Sequence, residues 1–137
     1  MGRHKHPAVV NPPEVVEVLA GYEDLVEVGV GRRPDVAAAL ADRGRVVTAT
    51  DVVEREVPSG VRFVLDDVTD PDPSVYENAD AVYALRCPPE LQRALVAVAE
   101  RAGADCLFTT LGGDPVVVPA DPETVATGTL FVAQTRN

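Results

Sequence analysis

A buried strand that runs directly into a glycine turn and then a helix limits the folds that this chain can adopt. Residues 25–29 form an apolar run interrupted by one glutamate, and Gly29-Val30-Gly31 follows at once. Apolar residues recur at helical spacing over 35–40, and 45–51 is a β-branched run closed by an acid. A strand, turn, helix and strand of these lengths predict a βαβ unit with a right-handed crossover.

The rest of the chain continues the alternation of helices and strands. Proline opens a short leading helix over 12–20, and Pro88-Pro89-Glu90 opens an amphipathic helix that ends at Gly103. Further strands are predicted at 61–65, 79–85 and 106–111, and a closing hairpin at 116–118, 122–126 and 129–133. We therefore predict an α/β fold: a Rossmann-like, doubly wound, mostly parallel sheet with helices on both faces and a short antiparallel C-terminal hairpin. Residues 1–10 are expected to be a loose tail and residues 11–137 a single domain.

Two glycines and a later acid predict a site for the adenosine part of a cofactor. At Gly29 and Gly31 the chain must turn sharply off a strand and leave room for a ligand, which a side chain would block. Asp51 ends the next strand, twenty residues after Gly31, where a carboxylate accepts both ribose hydroxyls. The alternative is a cofactor-free structural turn, because tight turns need glycine for their own reasons.

The residues around this turn favour S-adenosylmethionine over a dinucleotide. Pro34 stands where the dinucleotide fingerprint has its third glycine, and proline lacks an N–H that a pyrophosphate would use. Glu27, at the mouth of the turn, would repel phosphate but suits the ammonium group of a methionine moiety. We therefore predict S-adenosylmethionine as the cofactor, with a nicotinamide dinucleotide as the less favoured alternative.

These motifs resemble those of the class I S-adenosylmethionine-dependent methyltransferases. The first motif of that class has an acid-x-Gly-x-Gly core, which Glu27-Val28-Gly29-Val30-Gly31 matches, and Asp51 matches its acid after the second strand. Leu65-Asp66-Asp67-Val68 looks like the segment whose acid meets the adenine amino group. The resemblance covers roughly residues 25–111 and implies cofactor-binding roles for Asp66 and Asp67 on the adenine side.

More narrowly, the whole chain resembles an archaeal family of uncharacterised proteins, UPF0146. The motifs that carry this resemblance are Val26-Glu27-Val28-Gly29-Val30-Gly31, Thr50-Asp51, Asp66-Asp67-Val68-Thr69 and Tyr83-Ala84-Leu85-Arg86-Cys87-Pro88-Pro89-Glu90. That family is similar to methyltransferases in fold, and the resemblance implies no established activity.

The loop after the fourth predicted strand holds the weak catalytic candidates Arg86, Cys87 and Glu90. It lies at the carboxyl end of a parallel strand, where open α/β sheets bind ligands. Each residue also has a structural explanation. Arg86 could pair with a surface acid, Cys87 could be a small buried apolar side chain, and Glu90 is a favourable acid in the first turn of a helix. Pro88-Pro89 only loosely resembles the Asn/Asp-Pro-Pro-aromatic motif of amino-group methyltransferases. About 26 residues follow Leu111, fewer than such enzymes use to shape an acceptor pocket.

The charge balance excludes some functions. The net charge is −10, with eleven arginines and a single lysine, which disfavours direct DNA binding. It matches adaptation to a high-salt cytoplasm, where screening keeps a dense acidic surface from repelling itself, and an ordinary acidic protein is the alternative. We expect no metal: His4 and His6 lack a further ligand nearby, and the acidic group Asp66, Asp67, Asp70 and Asp72 is predicted to be a solvated loop.

No residue stands out in the sequence as a nucleophile or general base. The leading hypothesis is a cytoplasmic protein that binds S-adenosylmethionine or its demethylated product, as a small methyltransferase of unknown acceptor. The alternative is a non-catalytic binding or interaction module with a degenerate site. No apolar run of roughly 18 residues predicts a membrane span. The sequence leaves open an RNA or protein acceptor and a homo-oligomer.

Overall fold

The computed structural model describes residues 12–125 and 128–136. The tail predicted for residues 1–10, with His4 and His6, and residues 126 and 127 of the predicted hairpin lie outside the described residues. Within the described ranges the elements are α1 (Pro12–Leu19), β1 (Asp24–Val28), α2 (Asp35–Asp42), β2 (Val46–Asp51), β3 (Val61–Leu65), a 3-10 turn (Pro73–Val75), β4 (Ala81–Ala84), α3 (Pro89–Ala102), β5 (Asp105–Phe108), β6 (Ala120–Val125) and β7 (Gly128–Ala133).

Seven strands of the described chain form one sheet in the order β3-β2-β1-β4-β5-β7-β6. Strands β1 to β5 pair in parallel, and β7 pairs antiparallel with both β5 and β6. The strand order reverses between β1 and β4, and open α/β sheets bind ligands at such a switch point. The predicted α/β fold class, with its antiparallel C-terminal hairpin, is confirmed.

Helices cover both faces of this sheet. On one face α1 and α2 pack together and bury Leu19 and Leu40 against strand residues such as Leu25. On the other face α3 contacts β4 and β5 and buries Leu95 and Val98. Because the central strands are covered on both sides, they read as nearly continuous apolar runs. Full burial of each such leucine contributes about 1.5–3 kcal/mol.

The third helix matches its prediction closely because its ends are chemically marked. It begins at Pro89, at a position where the missing N–H of proline has no helical partner to lose. It ends at Gly103, whose φ of 71° is the left-handed conformation that stops a helix. The helix packs on β4 and β5.

The sequence predicts a strand at residues 116–118, and the structure corrects this. The Oε1 atom of Gln92, fully buried on α3, accepts a hydrogen bond from the Val117 N–H at 2.8 Å. A guanidinium N–H of Arg93 donates to the Val117 carbonyl at 3.4 Å. Because side chains of α3 engage both backbone groups of Val117, this residue has none left for a strand ladder. The next strand starts at Ala120 instead.

Candidate functional site

The glycine turn after β1 is docked on the end of β2 by its own N–H groups. The Gly29 and Val30 N–H groups donate to the Thr50 carbonyl at 2.9 and 3.0 Å. The Gly31 N–H donates to Oδ2 of Asp51 at 2.8 Å. These three donors are used inside the protein, so they do not form the row of free N–H groups on which a pyrophosphate would rest.

Both glycines adopt conformations that other residues rarely take. Gly29 has a φ of 73° and Gly31 a φ of 59°, in the left-handed region where a side chain costs roughly 1–2 kcal/mol. A Cβ at Gly29 would meet nothing within 4 Å, and one at Gly31 only the Gly29 carbonyl oxygen at 4.0 Å. Packing in the protein therefore does not require glycine here, and the space beyond both residues is open to a ligand.

Glu27 lies inside the sheet and faces the same opening. It is 1% exposed, and its Oε1 atom accepts a hydrogen bond from the Tyr83 hydroxyl at 2.8 Å. Burial raises the pKa of Glu27 to about 8; the Tyr83 hydroxyl opposes the rise, and the charges of Asp35 and Asp51 add to it. Without a cation beside it, Glu27 is therefore a neutral acid at pH 7.

Asp51 is fixed at the end of β2 by surrounding donors. Its Oδ1 accepts from the Val52 N–H at 2.7 Å, and its Oδ2 accepts from Gly31 and, at 3.3 Å, from the Arg55 side chain. Burial by itself would raise the pKa of Asp51, but these donors outweigh it, so the pKa lies below its ordinary value. Asp51 is thus a carboxylate with one weakly held partner, Arg55, that a ligand could replace.

Asp66 and Asp67 lie beyond β3 and organise the loop that follows. Asp66 accepts from the Tyr76 hydroxyl at 2.7 Å and from the Asp72 N–H at 2.9 Å. Asp67 accepts from both the N–H and the hydroxyl of Thr69, and these bonds lower its pKa. Each Asp66 oxygen carries one of its bonds, which leaves lone pairs for another donor.

The loop after β4 brings Arg86 into a strained backbone conformation. Arg86 has a φ of 53°, the left-handed region, although it is not glycine. Hydrogen bonds to Thr109 hold it there: the Arg86 N–H donates to the Thr109 hydroxyl at 2.8 Å, and the Cys87 N–H donates to the Thr109 carbonyl at 2.7 Å. Such a conformation persists only where surrounding contacts hold the backbone in place, and it is often found at functional sites.

The other two candidates in this loop differ from Arg86. Cys87 is buried, and burial, with a smaller contribution from Glu90, raises the pKa of its thiol to about 12. It is therefore a protonated thiol at neutral pH and a poor nucleophile. Glu90 is exposed in the first turn of α3, a position that favours an acid.

A cleft of about 340 Å³ opens at the carboxyl ends of β1, β4 and β5, the low end of the range for small-molecule sites. It brings together four of the predicted residues, Glu27, Gly29, Gly31 and Arg86. Its lining does not include Asp51, Asp66, Asp67 or Glu90. Cys87 lines a neighbouring cavity of about 90 Å³ that shares Gly29, Leu85 and Arg86 with the cleft.

Several residues of this site were not predicted from the sequence. Tyr83 is paired with Glu27 in the register of β1 and β4, and the signal was an acid inside a buried strand, which needs a partner. Thr109 and Thr110 also contribute to the cleft lining, and they follow β5 at the same edge as Arg86. Arg32 and Arg33 follow the glycine turn directly and complete the cleft wall.

Several solved structures share the fold of this chain. An RNA methyltransferase from Salinibacter ruber in complex with S-adenosyl-L-homocysteine has a TM-score of 0.64 and 15% identity, covering 94% of this chain and 95% of that one. A TehB-like S-adenosylmethionine-dependent methyltransferase from Corynebacterium glutamicum has a TM-score of 0.60 and 15% identity, covering 89% and 84%. Two further similar structures are longer proteins, of which this chain spans 44% and 40%. The chain has the Rossmann-like fold of these methyltransferases.

The family follows from the sequence itself. The model of the uncharacterised protein family UPF0146 matches residues 9–136. A UPF0146 protein of Halobacterium salinarum is 65% identical over 127 residues, which are 92% of this chain and 98% of the relative. This chain belongs to UPF0146, as the motifs of the sequence indicate.

Neither a membrane-spanning helix nor a metal-binding group is found among the described residues. No helix within 12–125 and 128–136 is long and apolar enough to cross a membrane. In the same ranges, no three His, Cys, Asp or Glu side chains are grouped so that they could hold a metal ion.

Proposed function

We propose that this protein binds S-adenosylmethionine, or its demethylated product, with the methionine end in the cleft beside β1 and β4 and the adenosine end outside it toward Asp51 and Asp66, and that it acts as a small methyltransferase. Glu27, Gly29 and Gly31 are assigned to the methionine end of the ligand. Asp51 is assigned to the ribose hydroxyls, and Asp66, with Asp67, to the adenine amino group. The fold shared with S-adenosylmethionine-dependent methyltransferases supports this assignment.

The buried carboxyl of Glu27 is the observation that carries the proposal. Its pKa of about 8 reflects the cost of a charge in a buried position near the acids Asp35 and Asp51. A cation placed against Glu27 would favour the carboxylate and lower this pKa. The methionine ammonium is such a cation, whereas a phosphate at the same point would meet three acidic groups. The engaged N–H groups of the glycine turn likewise argue against a dinucleotide.

Apolar side chains near Asp51 support a place for the adenine. Val52, Val53 and Leu65 are 63%, 47% and 61% exposed, and Leu65 is the register partner of Asp51 in the neighbouring strand. Exposed aliphatic side chains at a ligand edge are suited to pack on a flat, largely apolar ring. A purine there would remove their apolar surface from water and give them a partner.

Methyl transfer depends mainly on how the acceptor is positioned relative to the methyl carbon. S-adenosylmethionine supplies a methyl group on a sulfonium: an acceptor lone pair bonds to the methyl carbon, the carbon–sulfur bond breaks with its electron pair left on sulfur, and the acceptor proton passes to water. The residues of this chain bind and orient. Glu27 holds the ammonium, and the open space at Gly29 admits the ligand. Alignment alone lowers such barriers by several kcal/mol, up to about 10.

Calorimetric titration tests the binding proposal. S-adenosylmethionine, S-adenosylhomocysteine and NAD are titrated into the protein in molar KCl, which suits its acidic surface. We expect micromolar binding of the first two and none of NAD. Binding of NAD alone would overturn the cofactor assignment, and binding of none of the three would favour a non-catalytic interaction module.

The pH dependence of the ligand affinity tests the role of Glu27. Because the ligand ammonium binds the carboxylate form, binding must release a proton from Glu27 to solvent, and affinity for S-adenosylhomocysteine should rise about 20-fold between about pH 6 and pH 7.5. The variant Glu27→Gln should bind more weakly and show no such rise. Glu23→Gln, the same change at an exposed position just before β1, is the matched control and should behave as the parent. A pH-independent affinity in the parent protein would contradict the assignment of Glu27.

A further inference from the structure

Three arginines line the cleft of this strongly acidic protein. Arg32 and Arg33 follow the glycine turn, Arg86 follows β4, and all three are exposed. Two acids are among the lining residues, Glu27, which is bonded to the Tyr83 hydroxyl, and Asp35. The cleft is therefore a positive site on a chain whose net charge is −10.

These arginines differ from most others in lacking partners. Arginines that use their side chains in hydrogen bonds or ion pairs are Arg43, Arg45, Arg55, Arg93 and Arg136. Within the described part of the chain, Arg32, Arg33 and Arg86 make no such bond. A guanidinium has five N–H donors in a rigid fork that matches the oxygens of carboxylates and phosphates. Three unpaired forks around one cleft thus offer an anion many donors.

The backbone at Arg86 shows that its position is enforced. A left-handed conformation is unfavourable at a non-glycine residue, and two hydrogen bonds to Thr109 maintain it at Arg86. Glycine would remove this cost at a position where the Arg86 side chain makes no hydrogen bond or ion pair with the described residues. The retained strain points to use of the guanidinium by a ligand in the cleft.

We propose that the cleft binds a small phosphorylated molecule beside the cofactor, with its phosphate held by Arg32, Arg33 and Arg86. As the methyl acceptor, this molecule rests on the proposed function. Phosphate is favoured over carboxylate because a dianion with three oxygens can accept from more than one guanidinium fork. A long nucleic acid is disfavoured because its backbone would extend from the cleft over an acidic surface.

Nuclear magnetic resonance of the arginine Nε–H groups tests this site with inorganic phosphate as the probe. Phosphate replaces chloride at constant ionic strength, with and without saturating S-adenosylhomocysteine. We expect saturable shifts confined to Arg32, Arg33 and Arg86 in both series. Arg86→Gln and, separately, Arg33→Gln should weaken phosphate binding at least about tenfold. Arg62→Gln, an exposed arginine on β3 outside the cleft, should leave it unchanged.

Other outcomes separate this proposal from the proposed function. Equal shifts of all exposed arginines would indicate screening and overturn the site. Displacement of phosphate by S-adenosylhomocysteine would mean that the arginines hold the carboxylate of the cofactor, which also overturns it. If a short single-stranded RNA shifts the same signals at far lower concentration than phosphate, the acceptor is RNA and the small-molecule proposal fails. Saturable phosphate binding without any binding of S-adenosylhomocysteine would support the anion site and overturn the cofactor assignment.

Discussion

Replacing Glu27 by glutamine should stabilise the folded protein by an amount that grows with pH. Burial raises the pKa of Glu27 to about 8 in the folded protein, whereas in the unfolded chain a glutamate titrates at about 4.3. Between these values the unfolded chain has lost the proton and the folded protein has kept it. Rising pH therefore favours unfolding over this window, and the stability present below about pH 4 is progressively lost. Glutamine does not titrate, and its side-chain oxygen can still accept from the Tyr83 hydroxyl.

The size of the effect follows from the two pKa values. The loss of stability caused by Glu27 is about 1 kcal/mol near pH 5 and about 3.5 kcal/mol near pH 7. The stability of Glu27→Gln minus that of the parent should therefore grow by about 2.5 kcal/mol over this interval. For a chain of this length that is a change of roughly 10 °C in the difference between their Tm values. The growth is the diagnostic quantity, because the desolvation of a buried amide is the same at every pH.

Urea unfolding followed by circular dichroism measures this quantity, because urea leaves the ionic strength constant. Curves are recorded in molar KCl at several pH values between about 5 and 8. The exposed Glu23→Gln variant serves as the control, and its difference from the parent should not change over this range. A constant stability difference for Glu27→Gln across the whole range would show that the folded and unfolded states ionise together, and would refute the reasoning.

Three further substitutions test single features of the structure. Arg55→Ala should tighten S-adenosylhomocysteine binding up to about fivefold in calorimetry, because the substitution frees the Asp51 oxygen that is assigned to the ribose. Weaker binding would show that Arg55 contacts the ligand. Gly29→Ala should lower the free energy of unfolding by about 1–2 kcal/mol, because of its φ of 73°, and unchanged stability in urea would contradict that conformation. Gln92→Ala should lower the free energy of unfolding by about 2–4 kcal/mol, because the substitution leaves the Val117 N–H without its partner. Hydrogen exchange at the Val117 N–H should also become faster. Protection as in the parent would argue against the hydrogen bond between Gln92 and Val117.

Much of the fold can be predicted from the sequence because its central elements are marked locally. An apolar run, a glycine turn and a helical repeat indicate β1, α2 and β2 without any knowledge of distant contacts. The strand predicted at residues 116–118 is wrong because its hydrogen-bond partners are distant in the sequence. Its valines have the composition of a strand, but its hydrogen bonds go to Gln92 and Arg93 on a helix that is more than twenty residues away. Propensity carries no information about such a tether.

The candidate site is predictable in its chain positions and less so in its contacts. Gly29, Gly31 and Asp51 stand at spacings that the sequence displays, and the structure joins Gly31 to Asp51 by a hydrogen bond. The partnership of Glu27 with Tyr83 depends on the register of two strands that are distant in sequence. Register follows from the packing of both strands, so a single motif does not reveal it.

The order β5-β7-β6 has a consequence for how the sheet is assembled. Strand β6 is made before β7, yet it lies at the edge and reaches the rest of the sheet only through β7. Until β7 has inserted, β6 has no sheet partner, and β5 presents an open edge of unpaired backbone groups to other chains. Insertion of β7 covers that edge, stacks Phe131 on Phe108 with ring centroids 5.6 Å apart and buries Leu130. The edge of β5 is therefore exposed to wrong strand pairing until β7 covers it.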